Sequence, residues 1–233
     1  MVYARTVNGQ ELTFGVSGML LKNALVMYDH QTSSLWSQFL GEAIDGPFDG
    51  MRLELLSAQV TTWERWKQEH PSTTAIDKRG FPPMGTQSFF FAPGGIDPFG
   101  ASEIGLNSHD LVLGLVGRTN RAYPLRYLQE SSVVNDRFDN RHIVITYDGI
   151  AGARVYARSV DGAVLTFRAV IDGDGQASLM RDNETNSLWR SATGVAIDGP
   201  LTGTHLPPLP SHLSFWFAWN DYYPNAELYS PDG

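Results

Sequence analysis

The chain contains a long internal repeat, and no other feature of the sequence constrains its fold as strongly. When the sequence is shifted along itself by 153 residues, residues 2–76 align with residues 155–229 without a gap, and about 28 of the roughly 75 pairs are identical. Self-similarity of this kind is typical of two copies of one structural unit. We therefore predict a first repeat unit at 1–76, a Gly/Pro/Phe-rich ordered connector at 77–109 and a second, more complete unit at 110–233.

Turn signals and apolar alternation within each copy predict short antiparallel strands. Asn8-Gly9 and its counterpart Asp161-Gly162 favour the left-handed backbone of a two-residue hairpin turn. We therefore predict one hairpin over residues 3–14 and another over residues 156–167. Further short strands follow in each copy, separated by turn residues such as Gly46-Pro47.

One short helix is predicted near the end of each copy. In the first copy it spans residues 61–70, where Thr61 and Glu64 have the spacing of a capping box and Pro71 prevents continuation. Each helix carries two tryptophans three residues apart, Trp63 and Trp66 in the first copy and Trp216 and Trp219 in the second. The predicted fold class is therefore mainly β (β-rich α+β), with two tandem repeat units of antiparallel strands, each with one short Trp-containing helix.

The second unit has a β-rich front that the first unit lacks. Residues 111–147 contain several strand-like stretches, whereas the chain begins at the position equivalent to Arg154. We expect the first unit to be truncated at its N-terminus, with the edge of its first hairpin left open. An open edge exposes unpaired backbone amides and carbonyls. We therefore expect self-association, or a partner chain, at this N-terminal edge.

The composition argues against several classes of function. The chain is acidic, and a net charge of −8 argues against nucleic acid as a partner, because phosphate binding needs a surplus of Lys and Arg. No apolar run approaches the ~18 residues of a membrane-spanning helix, so no membrane insertion is expected. No leader peptide is visible ahead of the repeat. The chain is cysteine-free, which excludes disulfides, thiolate metal sites and cysteine nucleophiles.

Several motifs together point to one family. They are Leu12-Thr13-Phe14-Gly15, Met27-Tyr28-Asp29, Ala43-Ile44-Asp45-Gly46-Pro47 and His70-Pro71, with Ala122-Tyr123-Pro124-Leu125 and Val134-Asn135-Asp136 ahead of the second copy. In combination they resemble the bacterial and archaeal domain-of-unknown-function family 3179, once per copy. The resemblance implies a prokaryotic, extracytoplasmic (exported or envelope-associated) protein and brings no established reaction. The family's Cys-Pro-Leu-Cys motif is missing, because Asp148 and Ala151 occupy its cysteine positions.

The candidate ligand-binding residues lie in and beside the repeated stretch at 27–36. They are Asp29, His30, Trp36 and Gln38. Asp29 and His30 could bind a metal or move a proton, because histidine titrates near neutrality and a carboxylate can orient it. The competing interpretation is structural, with Asp29 capping the turn, Trp36 in the core and His30 exposed. In the second copy the aspartate persists as Asp182 while the histidine is replaced, which favours the structural interpretation.

No catalytic or cofactor motif accompanies this stretch. The remaining histidines show no His-x-x-x-His spacing, and the sequence has no nucleophile elbow, phosphate loop or dinucleotide fingerprint. No cofactor and no metal site are therefore predicted, and a non-enzymatic role is favoured. The leading interpretation is a non-catalytic binding or structural module of an exported or envelope-associated protein. The alternative is a metal-dependent or acid/base hydrolase with its site near Asp29 and His30.

Overall fold

The part of the chain that the structure describes contains short strands and three short helices. The computed structural model describes residues 1–58, 61–75, 106–149, 152–171 and 177–231. These residues form several mostly antiparallel sheets, which confirms the predicted β-rich fold class. Most of the predicted connector, residues 77–105, lies outside the described residues.

The first unit follows the predicted order of strands and then helix. Its elements are β1 (Val2–Tyr3), β2 (Thr6–Val7), β3 (Gln10–Glu11), β4 (Phe14–Leu21), β5 (Ala24–Asp29), β6 (Leu35–Ser37), β7 (Glu42–Asp45), β8 (Leu55–Leu56) and α1 (Trp63–Glu69). Asn8 and Gly9 adopt φ of 50° and 78°, as the predicted turn requires. The hairpin is shorter than predicted, because Tyr3 pairs with Leu55 in β8 and only β2 and β3 flank the turn.

The second unit contains more elements than the first. They are β9 (Leu111–Leu115), β10 (Arg121–Pro124), α2 (Leu125–Glu130), β11 (Val133–Phe138), β12 (Arg141–Tyr147), β13 (Ala153–Ala157), β14 (Ser159–Val160), β15 (Ala163–Val164), β16 (Phe167–Val170), β17 (Leu179–Asp182), β18 (Leu188–Arg190), β19 (Val195–Asp198), β20 (His212–Phe215), α3 (Trp216–Tyr222) and β21 (Glu227–Leu228). Helix α2, whose Leu128 is fully buried, was not predicted. Strand β21 pairs with β10 in parallel, which is an exception to the predicted antiparallel pairing.

Each unit contains a four-stranded antiparallel sheet of the same strand order. These are β4-β5-β6-β7 in the first unit and β16-β17-β18-β19 in the second. The registers correspond residue by residue at the 153-residue offset: Phe14 pairs with Asp29 and Phe167 with Asp182, Met27 pairs with Trp36 and Met180 with Trp189. Both sheets also have a register shift at the same place, just before the tryptophan.

The two tryptophan helices differ in what they pack against. Helix α3 lies on the sheet β20-β9-β10-β21, where a Cβ at Gly114 would come within 1.9 Å of the Trp219 ring. Trp219 is fully buried there, whereas Trp63 of α1 is 52% exposed. The predicted capping box of α1 is wrong. The helix begins at Trp63, and the Thr61 hydroxyl has no hydrogen-bond partner among the described residues.

The first unit packs against α3 of the second. The Phe39 ring stacks on Tyr222 with a centroid distance of 4.3 Å and an angle of 10°. The Tyr222 hydroxyl donates to the Leu21 carbonyl at 2.6 Å, and the Lys22 Nζ donates to the Asp221 carbonyl at 2.7 Å. This contact places β1 and β8 opposite the loops of the second unit's front and so forms the cavity described below.

Candidate functional site

Asp29 ends β5 and organises the turn that leads to β6. Its side chain is fully buried, and Oδ2 accepts a hydrogen bond from Trp36 Nε1 at 2.9 Å. The hydroxyl of Thr32 donates to the same carboxylate at 2.9 Å, and the Thr32 amide donates to Oδ1. Ser33 adopts a φ of 61°, which closes the turn. Both carboxylate oxygens are therefore engaged within the turn.

The second copy repeats this arrangement. Asp182 is fully buried and accepts a hydrogen bond from Trp189 Nε1 at 2.8 Å. The Thr185 hydroxyl donates to it at 2.8 Å, and Asn186 adopts a φ of 61°. Trp36 and its counterpart Trp189 are both fully buried, which confirms the expectation that Trp36 is a core residue.

The hydrogen bonds determine the charge state of both aspartates. Burial raises the pKa of Asp29, but the bonds donated by Trp36 and Thr32 outweigh it, so the pKa lies below its ordinary value. The same balance, with Trp189 and Thr185 as donors, lowers the pKa of Asp182. Each carboxylate is therefore ionised at neutral pH and acts as a hydrogen-bond acceptor.

The other two candidate residues lie apart from this network. His30 is exposed, and its ring contacts the edge of Tyr28 with a centroid distance of 5.0 Å. Gln38 is half-buried, and its backbone amide donates to the Leu25 carbonyl. The structure thus joins Asp29 to Trp36, but among the described residues no hydrogen bond links either remaining side chain to the carboxylate. The described residues also contain no group of three or more His, Asp or Glu that could hold a metal ion.

A cavity of 820 Å³ lies between the first unit and the front of the second. One wall is formed by the first unit, including Tyr3 of β1 and Leu55 of β8. The opposite wall is formed by the β9–β10 loop at residues 116–118 and by residues 138–141, which are the β11–β12 turn and the strand residue on each side of it. Small-molecule sites in proteins have volumes of about 300–1,000 Å³ and occur preferentially between packed units. The cavity is therefore large enough for a small organic ligand.

Hydrogen bonds hold the second-unit wall of the cavity in place. The Arg118 amide donates to Asp139 Oδ2 at 2.7 Å, which ties the β9–β10 loop to the β11–β12 turn. The Gly117 amide donates to Asn120 Oδ1 at 3.1 Å. A Cβ at Gly117 would lie 2.1 Å from Asp139 Oδ2, so a larger residue there would displace the Asp139 side chain. The wall is thus preformed.

Polar side chains of the cavity come from separate parts of the chain. Arg52 belongs to the first unit, Arg118 to the β9–β10 loop of the second and Arg141 to the start of β12. His212 also lines the cavity and is 2% exposed, and its Nδ1 has no hydrogen-bond partner in the described structure. Burial, with a smaller effect of the positively charged amino terminus, lowers the pKa of His212 to about 4, so the ring is neutral at pH 7.

The sequence analysis did not predict this cavity. Arg52, Arg118 and Arg141 are separated by long stretches of sequence, and no spacing rule connects them. No signal in the sequence could have found the set, because only the packing of the first unit on the second brings these residues to one cavity.

A comparison with family models agrees with the motifs noted in the sequence. A model described as a protein of unknown function (DUF3179) matches residues 1–82 and 95–233. The chain belongs to this family. Membership in DUF3179 confirms the resemblance. The description of the family names no reaction. No curated protein and no solved structure matches the chain. Within the described residues, no helix is both long and apolar enough to cross a membrane.

Proposed function

We propose that this DUF3179 protein is a non-catalytic binding module of an exported or envelope-associated protein, and that its ligand occupies the cavity between the two units. The observation that carries the proposal is the 820 Å³ cavity with one hydrogen-bonded, preformed wall. Preformed concave sites with a few polar groups are typical of small-molecule binding. The exported location is supported by the family resemblance alone.

The geometry at Asp29 supports a structural role for that residue. Its carboxylate accepts hydrogen bonds from Trp36 and Thr32, and Asp182 makes the same bonds in a copy that has no histidine at the next position. The alternative function, a hydrolase near Asp29 and His30, needs the carboxylate to be free for a metal or a proton. Such an enzyme would first have to break the bond to the indole.

We also propose that the two units are tandem copies of one ancestral unit. Matching strand order, matching register and the same aspartate–tryptophan bond at the 153-residue offset support this proposal. The asymmetry between the copies then explains the cavity. Strands β1 and β13 are equivalent in the two copies. Strand β13 pairs with β12, whereas β1 pairs only with β8 among the described residues. The space beside β1 is part of the cavity.

Ligand-observed NMR on the full chain tests the proposed function. A library of sugars, amino acids, alcohols and organic acids is screened by saturation-transfer difference, and each sample is followed for a day. We expect at least one compound to bind without forming a product. Val116→Trp should abolish binding, because Val116 lines the cavity and is 41% exposed, so a larger side chain can fill the space without disturbing the core.

The control is Val164→Trp, at a residue of similar exposure, 37%, that does not line the cavity. It should leave binding unchanged. Binding that survives Val116→Trp would contradict the proposal. Product formation that is lost in His30→Ala would contradict it as well, and would support the hydrolase instead.

A further inference from the structure

We propose that the cavity binds an organic acid with an apolar body, and that Arg118 and Arg141 hold its acidic group. The inference rests on the proposed binding function and adds the chemical class of the ligand. Both arginines lie on the preformed wall, one in the β9–β10 loop and the other at the start of β12.

The charge at the cavity is opposite to that of the whole protein. The chain carries a net charge of −8, yet three arginines and one aspartate line the cavity. Arg52 is paired with Glu42 at 2.6 Å. In the described part of the chain, no carboxylate forms an ion pair with Arg118 or Arg141. Arg118 and Arg141, both exposed residues, therefore supply the positive charge of the cavity lining.

Guanidinium groups are well suited to an oxyanion. Arginine is always charged, and its planar fork donates two parallel hydrogen bonds to a carboxylate, sulfonate or phosphate. Asp139, the one acidic residue of the cavity, already accepts the Arg118 amide and lies close against Gly117. Its carboxylate therefore serves to hold the wall in place, and this leaves the arginine side chains available to a ligand.

Apolar side chains form much of the remaining surface. They come from both units and are Leu40, Leu53, Leu55, Leu115 and Phe138. Transfer of an apolar group from water to such a surface is favourable, so a ligand with a hydrocarbon or aromatic body gains binding free energy there. An inorganic anion would use the arginines alone, and a sugar would leave the apolar surface poorly matched.

His212 also lines the cavity, but its Nδ1 is buried out of reach of solvent and is therefore not offered to the ligand.

Two fluorescent dyes with closely related ring systems test the inference. Anilinonaphthalene sulfonate is an anion with an apolar body, and phenylnaphthylamine is its neutral counterpart. We expect the anionic dye to bind the full chain more tightly than the neutral dye. In the double variant Arg118→Ala/Arg141→Ala, the affinity for the anionic dye should fall about tenfold, which corresponds to ~1.4 kcal/mol. The affinity for the neutral dye should stay the same.

Two further variants separate the possible outcomes. Arg168→Ala, an exposed arginine outside the cavity, should change neither affinity, and Val116→Trp should abolish binding of both dyes. If both dyes bind equally and Val116→Trp removes both, the cavity is a binding site but the preference for an acid is wrong. If neither dye responds to Val116→Trp, the dyes bind elsewhere, and both the inference and the proposed function are overturned.

Discussion

At the scale of single residues, each repeated turn is held by a buried carboxylate that has no cationic partner among the described residues. Asp29 and Asp182 are ionised in the interior because neutral donors surround them. Hydrogen bonds to the charged form of a carboxyl group can outweigh the cost of burial. The tryptophan donor comes from the next strand, so the bond also connects β5 to β6 and β17 to β18.

We predict that Asp29→Ala destabilises the protein by about 2–4 kcal/mol, because it leaves the buried indole N–H and the Thr32 hydroxyl without an acceptor. Urea unfolding followed by tryptophan fluorescence measures the change. Asp182→Ala should have a similar effect, because its bonds are the same. Asp29→Asn, which keeps an oxygen acceptor, should cost less. Equal stability of wild type and Asp29→Ala would show that the bond to Trp36 contributes nothing.

The same carboxylates predict a dependence of stability on pH. The pKa of Asp29 is lower in the folded protein than the unfolded value of about 3.9, so the unfolded state binds the proton more tightly. The stabilisation is therefore complete above about pH 4 and is lost as the pH falls through the folded pKa. Melting temperatures from pH 7 to pH 2.5 should fall more steeply for wild type than for Asp29→Asn. Parallel curves would contradict this prediction.

At the scale of secondary-structure elements, equivalent segments differ in what covers them. Strand β13 pairs with β12 over five residues, whereas β1 is a two-residue strand that pairs with β8. Trp219 of α3 is fully buried against β9, whereas Trp63 of α1 is 52% exposed. The first unit therefore has both an open strand edge and an exposed helix face in the described structure.

We predict that backbone amides of β1 exchange with solvent faster than those of β13, because fewer strands protect them. Hydrogen exchange of the dilute monomer, read out by NMR, measures both strands in one sample. If the open edge mediates self-association, exchange in β1 should slow as the protein concentration rises, while exchange in β13 should not change. Equal protection of β1 and β13 in the dilute monomer would show that the first unit closes by itself.

At the scale of the whole molecule, the contact between the units is built around one aromatic side chain. Phe39 is 2% exposed and packs among His212, Trp219, Tyr222 and Tyr223 of the second unit. Its equivalent in the second copy is Ala192, so this contact belongs to the first unit alone. The cavity depends on the contact, because its two walls come from different units.

We predict that Phe39→Ala destabilises the contact by about 3–5 kcal/mol, as large aromatic truncations in packed interiors do. The two units should then unfold in separate steps, and calorimetry should resolve two transitions where wild type has one. Binding of the anionic dye should weaken in parallel. Phe48→Ala, which truncates a phenylalanine packed against Trp36 within the first unit, is a control that should leave dye affinity unchanged while the protein is folded. A single unshifted transition for Phe39→Ala would contradict the prediction.

The sequence by itself determined the repeat, the β-rich class, the turns at Asn8-Gly9 and Asp161-Gly162 and the family. The strands and turns depend on residues close together in the chain, where strand alternation and positive φ angles leave a readable pattern. The repeat and the family are recognised by comparing stretches of sequence directly. Only the tertiary structure decided that Asp29 bonds to Trp36, that Trp63 is exposed while Trp219 is buried, and that a cavity lies between the units. The physical reason is that burial and cavity shape depend on which elements pack together, and equivalent sequences have different neighbours in the two units.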